Sequence, residues 1–498
     1  MNEHFDVVVV GFGYAGAAAA IAAHDAGARV LLLEKQATPG GISVCSAGGV
    51  RCTHRPADAL AYLLATNGGT TPEPVLRVLA EGMAELPALI AALAAPLGAT
   101  SAVRKATGNY NFAGTDAFGF VNIDAVPGFD AAAEYPAVRG APAGARLFKV
   151  MHENVRRRAI EVRFATPAER LIVRDGRVAG VRAGTAIGAR GGVILATGGF
   201  EGAPDLQRQF WSMNPVLSAA LHSNTGDGLR MAQHAGAALW HMWHYHGSYG
   251  FAHPDPTYTL GIRLKRLPDW LPGAPPREEV KMSWILVDRD GHRFMNEYEP
   301  YLQDTGHRAL EGTDFATLRT PRIPAVLIVD ANGHAQYPLC APTWHDAAVA
   351  SRFGAMTAHD FDAAVLRPFD TLDALAEAFA LDPATLARTI DGWNALAGAP
   401  DRFGRPASGR MPIACPPFRA AAIVPIVSNT QGGPAHDAAQ RVLDPFGAAI
   451  PGLWEAGEIG SVFGHIYLSG GNLAECFVGG RIAGQQAAAA AREQGDPP

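Results

Sequence analysis

Near its C-terminus the chain carries Glu458 and then the run Gly464-His465-Ile466-Tyr467-Leu468-Ser469-Gly470-Gly471-Asn472-Leu473. Two hydroxyl side chains, Tyr467 and Ser469, stand two residues apart just before a pair of glycines. A phenol and an alcohol so placed can donate to a developing oxyanion or pass on a proton, which is acid–base chemistry on a polarised substrate. Asn472 is a favourable N-cap for the apolar helix expected from Leu473, and the N–H groups at that helix start favour negative charge beside them.

The N-terminus supplies the elements of a dinucleotide site. Val7 to Val10 form a short, fully apolar run, as expected of a central parallel strand buried on both faces. It leads into Gly11-Phe12-Gly13-Tyr14-Ala15-Gly16, an expected helix over Ala17 to Ala26, and a second strand over Arg29 to Leu33 that closes on Glu34-Lys35. Gly11 makes the tight turn, Gly13 admits a pyrophosphate to the backbone, and Gly16 lets helix pack on strand. Glu34 stands where a carboxylate binds ribose hydroxyls. A lone GxGxxG is weak, but strand, glycines, helix, strand and acid in register are specific.

The segments that follow favour FAD over NAD. Pro39 to Gly49 is a second glycine-rich segment with short hydroxyls (Gly41, Ser43, Ser46, Gly48, Gly49), suited to a ribityl chain and ring edge. Ala168 to Val173 and Asp175 to Val181 read as a hairpin returning to the sheet, and Gly192 to Leu195 as a buried strand running into Ala196-Thr197-Gly198-Gly199-Phe200. These pieces fit one extended dinucleotide. No second GxGxxG unit is present to hold a nicotinamide cofactor, so an external electron partner is expected.

Composition narrows the partners. With 498 residues, 48% of them hydrophobic, the chain can bury a large core in two or three domains. A net charge of -6 offers no basic field for nucleic acid, and Arg156-Arg157-Arg158 reads as a solvated helix face. The five cysteines are scattered without a CxxC pair, which suggests reduced thiols and disfavours a disulfide reductase. No metal site is expected. The most apolar helical stretch, around Leu86 to Leu97, is interrupted by Pro87 and Pro96 and reads as a buried helix too short to span a bilayer. The start, Met1 to Phe5, has no charged and apolar leader pattern, so a cytoplasmic location is expected.

With these motifs in place, the chain resembles the flavoprotein superfamily that includes the fumarate reductase and succinate dehydrogenase flavoproteins and the 3-ketosteroid dehydrogenases. The resemblance runs nearly end to end and adds Asn224-Thr225-Gly226-Asp227-Gly228 and Gly291-His292-Arg293-Phe294-Met295-Asn296-Glu297 to the segments above. It implies an α/β fold: a discontinuous Rossmann-type FAD-binding domain, 1–238 and 422–498, with an inserted α+β catalytic or capping domain, 239–421. It also implies cofactor contacts at Asn224, Gly226, Asp227, Glu458, Gly471, Asn472 and Leu473, besides those of the fingerprint and the glycine-rich segments. No residue resembles a histidine–flavin linkage, so noncovalent FAD is expected.

The resemblance breaks at the substrate. Dicarboxylate enzymes of the superfamily use arginines where this chain has Tyr301 and Leu468, and the His-Pro-Thr segment expected after the TGDG motif is replaced by Trp240 to His246. Burying carboxylates without those anchors costs several kcal/mol, on the order of the penalty for an unpaired buried ion. The replacement pattern is similar to that of 3-ketosteroid Δ4-(5α)-dehydrogenases and less like the Δ1 enzymes. It implies that Tyr467 donates to the ketone oxygen, Ser469 removes the α-proton and Tyr301 assists Ser469. A desaturase of a smaller cyclic ketone, a Δ1-type ketosteroid dehydrogenase, an enoate or fumarate-type reductase, and a non-enzymatic flavin-binding protein remain as alternatives. Trp240, Trp243, Tyr245 and Tyr249 are candidates to line a flat apolar pocket or an ordinary core, with Phe112 and Phe118 as weaker candidates for a pocket mouth. Pro268 to Pro276 reads as a loop, Met282 to Asp288 as a strand, and Leu372 to Ala397 as a helical stretch.

Overall fold

The computed structural model describes residues 3–265, 281–298, 306–396, 398–399, 401–407 and 410–494. Two compact units emerge, the first made of 1–206, 221–245 and 429–498, the second of 207–220 and 246–428. The proline-rich loop at 268–276 and Tyr301 lie outside the described residues.

The first unit is built on β1 (Glu3–Val10), whose Val7, Val8 and Val9 are fully buried because layers cover both faces of the sheet. Its parallel neighbours are β2 (Val30–Leu33) and the strand Thr185–Leu195. The order continues outward to Ala449–Glu455 and Arg441–Leu443 on one side and Glu161–Arg163 on the other. The hairpin Arg170–Arg174/Arg177–Ala183 forms as expected and pairs antiparallel with Thr185–Leu195. Helix α1 (Tyr14–Asp25) starts three residues earlier than the sequence suggested, directly on Gly13, and packs against the C-terminal helix Gly471–Glu493. Small residues permit that approach: a Cβ on Gly480 or Gly484 would meet the α1 backbone at 2.7 or 2.3 Å. A separate three-stranded antiparallel sheet orders β3 (Val50–Thr53), Phe118–Ala125 and Thr100–Lys105.

Pro87 does not interrupt its helix, which runs Glu73–Ala94 and continues as a 3-10 turn to Leu97. By length and composition Glu73–Leu97 could cross a membrane, which corrects the expectation of a short stretch. Its Val75, Leu79, Met83, Leu86 and Ile90 are buried at helical spacing in the first unit's core, as in an amphipathic core helix.

The second unit holds a sheet ordered Ile285–Val287, Ala325–Val329, Phe418–Thr430, Tyr245–Ala252, Gly261–Leu264 and Cys340–Ala341. The expected helical stretch from Leu372 is two helices, Leu372–Ala378 and Pro383–Ala395. Asp382 accepts from Thr385 N as N-cap with Pro383 at the first helical position, so the sequence itself restarts the helix there. The strand expected over Met282 to Asp288 shortens to Ile285–Val287.

In this unit the Arg293-Phe294-Met295-Asn296-Glu297 motif forms a buried clasp. Arg293 pairs with both Glu297 and Asp401, Arg405 reaches Glu297 at 3.2 Å and the Trp284 carbonyl at 2.7 Å, and the Trp393 ring lies 4.6 and 4.8 Å from the two guanidinium carbons. Met295 is buried, Asn296 accepts from Tyr298 N, and Phe294 lies under Arg322.

Candidate active site

All the expected cofactor contacts, with Tyr467 and Ser469, fall in the first unit. At the fingerprint the backbone is closed to any larger residue. Gly11 adopts φ +104°, a Cβ there would lie 2.3 Å from Ala196 O, and one on Gly16 would lie 1.8 Å from Gly11 O. Gly13 opens α1 with no side-chain cap, and the Tyr14 amide donates to Ser43 Oγ at 3.1 Å. The helix start thus faces a hydroxyl-bearing loop, a polar cradle suited to a pyrophosphate. Glu34, at the end of β2, accepts from Phe12 N at 2.9 Å and Gln36 N at 2.8 Å, which fixes its carboxylate while leaving acceptor capacity for ribose hydroxyls. These features fit FAD. Tyr14 and Lys35 contribute differently from a direct side-chain contact: the Tyr14 phenol donates to Gly144 O in the core, and Lys35 Nζ is held by Thr225 Oγ1 and Asp227.

Along the next glycine segment, Gly41 and Gly48 have positive φ, and a Cβ on Gly48 would strike Ala143. Ser46 lies beside the Tyr14 hydroxyl, Gly49 beside Phe120, and Ala168 packs partly buried against the core that holds Phe5, Val8 and Leu171. The segment from Ala196 turns through Thr197 and Gly198 to Gly199, where a Cβ would lie 1.9 Å from Thr430 Oγ1, 2.4 Å from Glu458 Oε1 and 2.9 Å from Glu201 Oε2. Glu201 and Glu458 therefore form a buried carboxyl pair, held by Asn224 Nδ2 at 2.7 Å on one side and Thr430 N at 2.8 Å on the other. Burial pushes Glu458 up to about 7, and burial with the Glu458 charge raises Glu201 as well. Gly226, with φ +73°, caps the helix Asp227–His234.

The Tyr467 turn differs from expectation in one respect. The C-terminal helix begins at Gly471, not Leu473, and its N-cap is Gly470 in the left-handed conformation with no side-chain cap. Asn472 lies inside the helix. Its side chain donates to Glu475 and, at 3.2 and 3.3 Å, to Gln431 and Ser461, while its oxygen accepts from Asn429 at 2.6 Å and Gln431 at 3.1 Å. The acceptor at the helix start is instead the Tyr467 phenol oxygen, which receives Gly470 N at 3.1 Å and Asn472 N at 3.4 Å. Tyr467 is buried edge-on against Phe463, Ser469 is half-buried, and Leu468 is buried in the core. Leu473 packs partly against the same core.

Sequence reasoning missed Arg51, Asn109, Glu201 and Glu475. An arginine inside the four-residue buried strand Val50–Thr53 was a readable signal, as was a carboxylate two residues beyond Gly199. Of the aromatic candidates, Tyr245, Tyr249 and Phe118 are buried, whereas Trp243 is 52% exposed with its ring 6.0 Å from that of His465.

Beyond Asn472, Glu475, Glu455, His436 and Gln440 line a small cavity. Burial pushes Glu475 up to about 8 and raises Glu455, while it lowers His436 to about 4. A carboxyl raised on folding binds more protons in the native state, so its contribution falls as pH climbs from its unfolded value through its folded one. A buried histidine does the reverse, gaining stability up to its unfolded value of about 6.5. Above about pH 6.5 only the carboxyl trend remains among these groups. The melting midpoint of the apoprotein is therefore expected to drop between about pH 6.5 and 8.5, and Glu475→Gln to flatten the drop. Calorimetry across that range checks it; a flat wild-type profile would count against the buried acids.

The chain belongs to the family described as the FAD binding domain, which matches residues 6–473. It is similar to the fumarate reductase (cytochrome) of Shewanella frigidimarina, at 28% identity over 98% of this chain and 77% of that protein. It is also similar to the 3-oxosteroid 1-dehydrogenase of Mycolicibacterium smegmatis, at 30% identity over 70% of this chain and 63% of that protein. In fold it matches the crystal structure of 3-ketosteroid delta1-dehydrogenase from Sterolibacterium denitrificans with a TM-score of 0.78, at 23% identity, covering 98% of this chain and all of that one. The protein is an FAD-dependent oxidoreductase acting on CH–CH groups, within the superfamily that joins fumarate reductases and ketosteroid dehydrogenases.

Proposed function

We propose that the protein desaturates a 3-ketosteroid, introducing a C4–C5 double bond beside the C3 ketone. The observation that carries this reading is the Tyr467 hydroxyl. Its oxygen accepts two backbone N–H groups at a helix start, and the two donations strengthen the phenol as a donor. That arrangement suits a carbonyl whose oxygen gains charge as the α-proton leaves. Ser469, half-buried on the same turn, takes the C4 proton in this reading, and Tyr301 assists it through the resemblance described above. When bound, FAD supplies the oxidant that accepts the C5 hydrogen as hydride. The cofactor is held without a covalent bond, the electrons pass on to an external acceptor, and the protein works in the cytoplasm; residues 1–238 with 422–498 serve the cofactor and 239–421 cap it.

Anaerobic mixing with a 5α-3-ketosteroid tests the proposal through flavin bleaching and a product two hydrogens lighter. No bleaching with 3-ketosteroids or smaller cyclic ketones would overturn it. The 3-oxosteroid 1-dehydrogenase relative supports a second reading, Δ1 desaturation, which the position of the new double bond distinguishes.

The fumarate reductase relative supports opposite chemistry, and a specific result separates the two. Leu468 is a buried aliphatic residue where the dicarboxylate enzymes of the resemblance carry an arginine. Two carboxylates brought there lack that cation. Dithionite-reduced protein is therefore expected to reoxidise slowly with fumarate. Rapid reoxidation would remove the ketone assignment.

A further inference from the structure

Arg51 lies on β3, is 2% exposed, and reaches the catalytic turn from behind. Its Nε donates to Ser469 O at 2.7 Å and its Nη1 to Thr107 O at 3.0 Å, and its guanidinium carbon sits 3.9 Å above the Phe120 ring. Asn109 Oδ1, within 3.5 Å of Arg51 Nη2, accepts Ser469 N at 3.0 Å, and the Arg51 amide donates to Gly470 O at 3.1 Å. The turn is pressed onto this strand: Gly470 has φ +76°, and a Cβ on it would lie 2.6 Å from Gly49 O.

The two faces of a single peptide unit carry the consequence. The Ser469–Gly470 peptide accepts the Arg51 guanidinium at its carbonyl and donates from its N–H to the Tyr467 phenol oxygen. We infer that Arg51 is a positioning residue that aligns and polarises this peptide, so that its N–H strengthens the Tyr467 hydroxyl as donor to the substrate ketone. A charged donor on a carbonyl makes a stronger hydrogen bond than a neutral one, and serial bonds reinforce each other where the dielectric is low. Phe118 and Phe120, the rings beside the guanidinium, supply such surroundings. The inference rests on Tyr467 acting as the ketone donor, and its test has one arm that does not.

The test compares FAD-loaded wild type with Arg51→Lys and Arg51→Met. Arg51→Met is expected to slow flavin reduction at saturating 3-ketosteroid by about tenfold, the size of one charge-assisted hydrogen bond, with little change in the half-saturating concentration. Arg51→Lys retains a charge at the carbonyl and should recover most of that loss. The independent arm follows the Gly470 amide proton by NMR after selective serine-carbonyl and glycine-amide labelling. Its resonance should move upfield in Arg51→Met and stay near the wild-type position in Arg51→Lys.

An unmoved Gly470 resonance in Arg51→Met, or a lysine variant no better than the methionine one, overturns the inference. If Arg51→Met does not fold, Arg51→Lys decides alone: loss of both the rate and the Gly470 shift would show that charge at the carbonyl is not what matters. Wild-type flavin that no ketone reduces would instead defeat the reading of Tyr467, leaving the amide shift to report on Arg51.

Discussion

Replacing Tyr467 with phenylalanine is expected to slow flavin reduction by a 3-ketosteroid by roughly 10²–10³-fold, the effect of removing one oxyanion donor, about 2.7–4 kcal/mol. Two consequences of the substitution oppose each other. The ketone loses the phenol hydrogen, while the Gly470 and Asn472 N–H groups lose their acceptor and become available to ligand or water. Those amides start a 23-residue helix and carry its positive end, so they can recover part of the lost stabilisation. A loss nearer the lower figure is thus consistent with the geometry. Stopped-flow measurement with FAD content and melting midpoint matched to wild type checks it. Near-wild-type reduction would mean that the phenol only caps the helix.

Gly16→Ala should weaken FAD binding by roughly 100-fold, corresponding to about 2.7 kcal/mol at the upper end of overpacking costs. The new methyl would lie 1.8 Å from Gly11 O, and Gly11 is itself confined by Ala196 O. Neither backbone segment is the movable end of a side chain, so α1 must withdraw from the strand end and carry its phosphate-facing amides with it. Equilibrium titration of apoprotein with FAD, read by flavin fluorescence, measures the shift. Unchanged affinity would show that the helix start does not hold the pyrophosphate.

The contrast between these sites and the rest of the molecule explains what was legible beforehand. The fingerprint is local: Gly11, Gly13, Gly16 and Glu34 meet through one strand–turn–helix–strand unit, so spacing alone places them. The hairpin at 170–183 is local in the same way. Asn472 was misassigned because its side chain faces Glu475, Ser461 and Gln431, partners up to 41 positions away, and not the adjacent backbone. Arg51 and Ser469 lie 418 positions apart in sequence, and no periodicity relates them. The Glu201–Glu458 pair is equally nonlocal, although Glu201 lies two residues beyond the Gly198-Gly199 turn and Glu458 itself stood out in the sequence. Asp382-Pro383 is the opposite case, a local helix-start signal present in the sequence and passed over within a longer helical pattern.

The clasp around Trp393 bears on lineage. Arg293, Asn296 and Glu297 bond within their own surroundings, to Asp401, Arg405 and the chain beside them, so among the described residues the motif works as scaffolding. A signature of that kind can be inherited intact while the chemistry around it diverges. Such a motif is therefore a poor guide to the substrate. In the proposed reading the residues that set the substrate, Tyr467, Leu468 and Ser469, are consecutive on one turn.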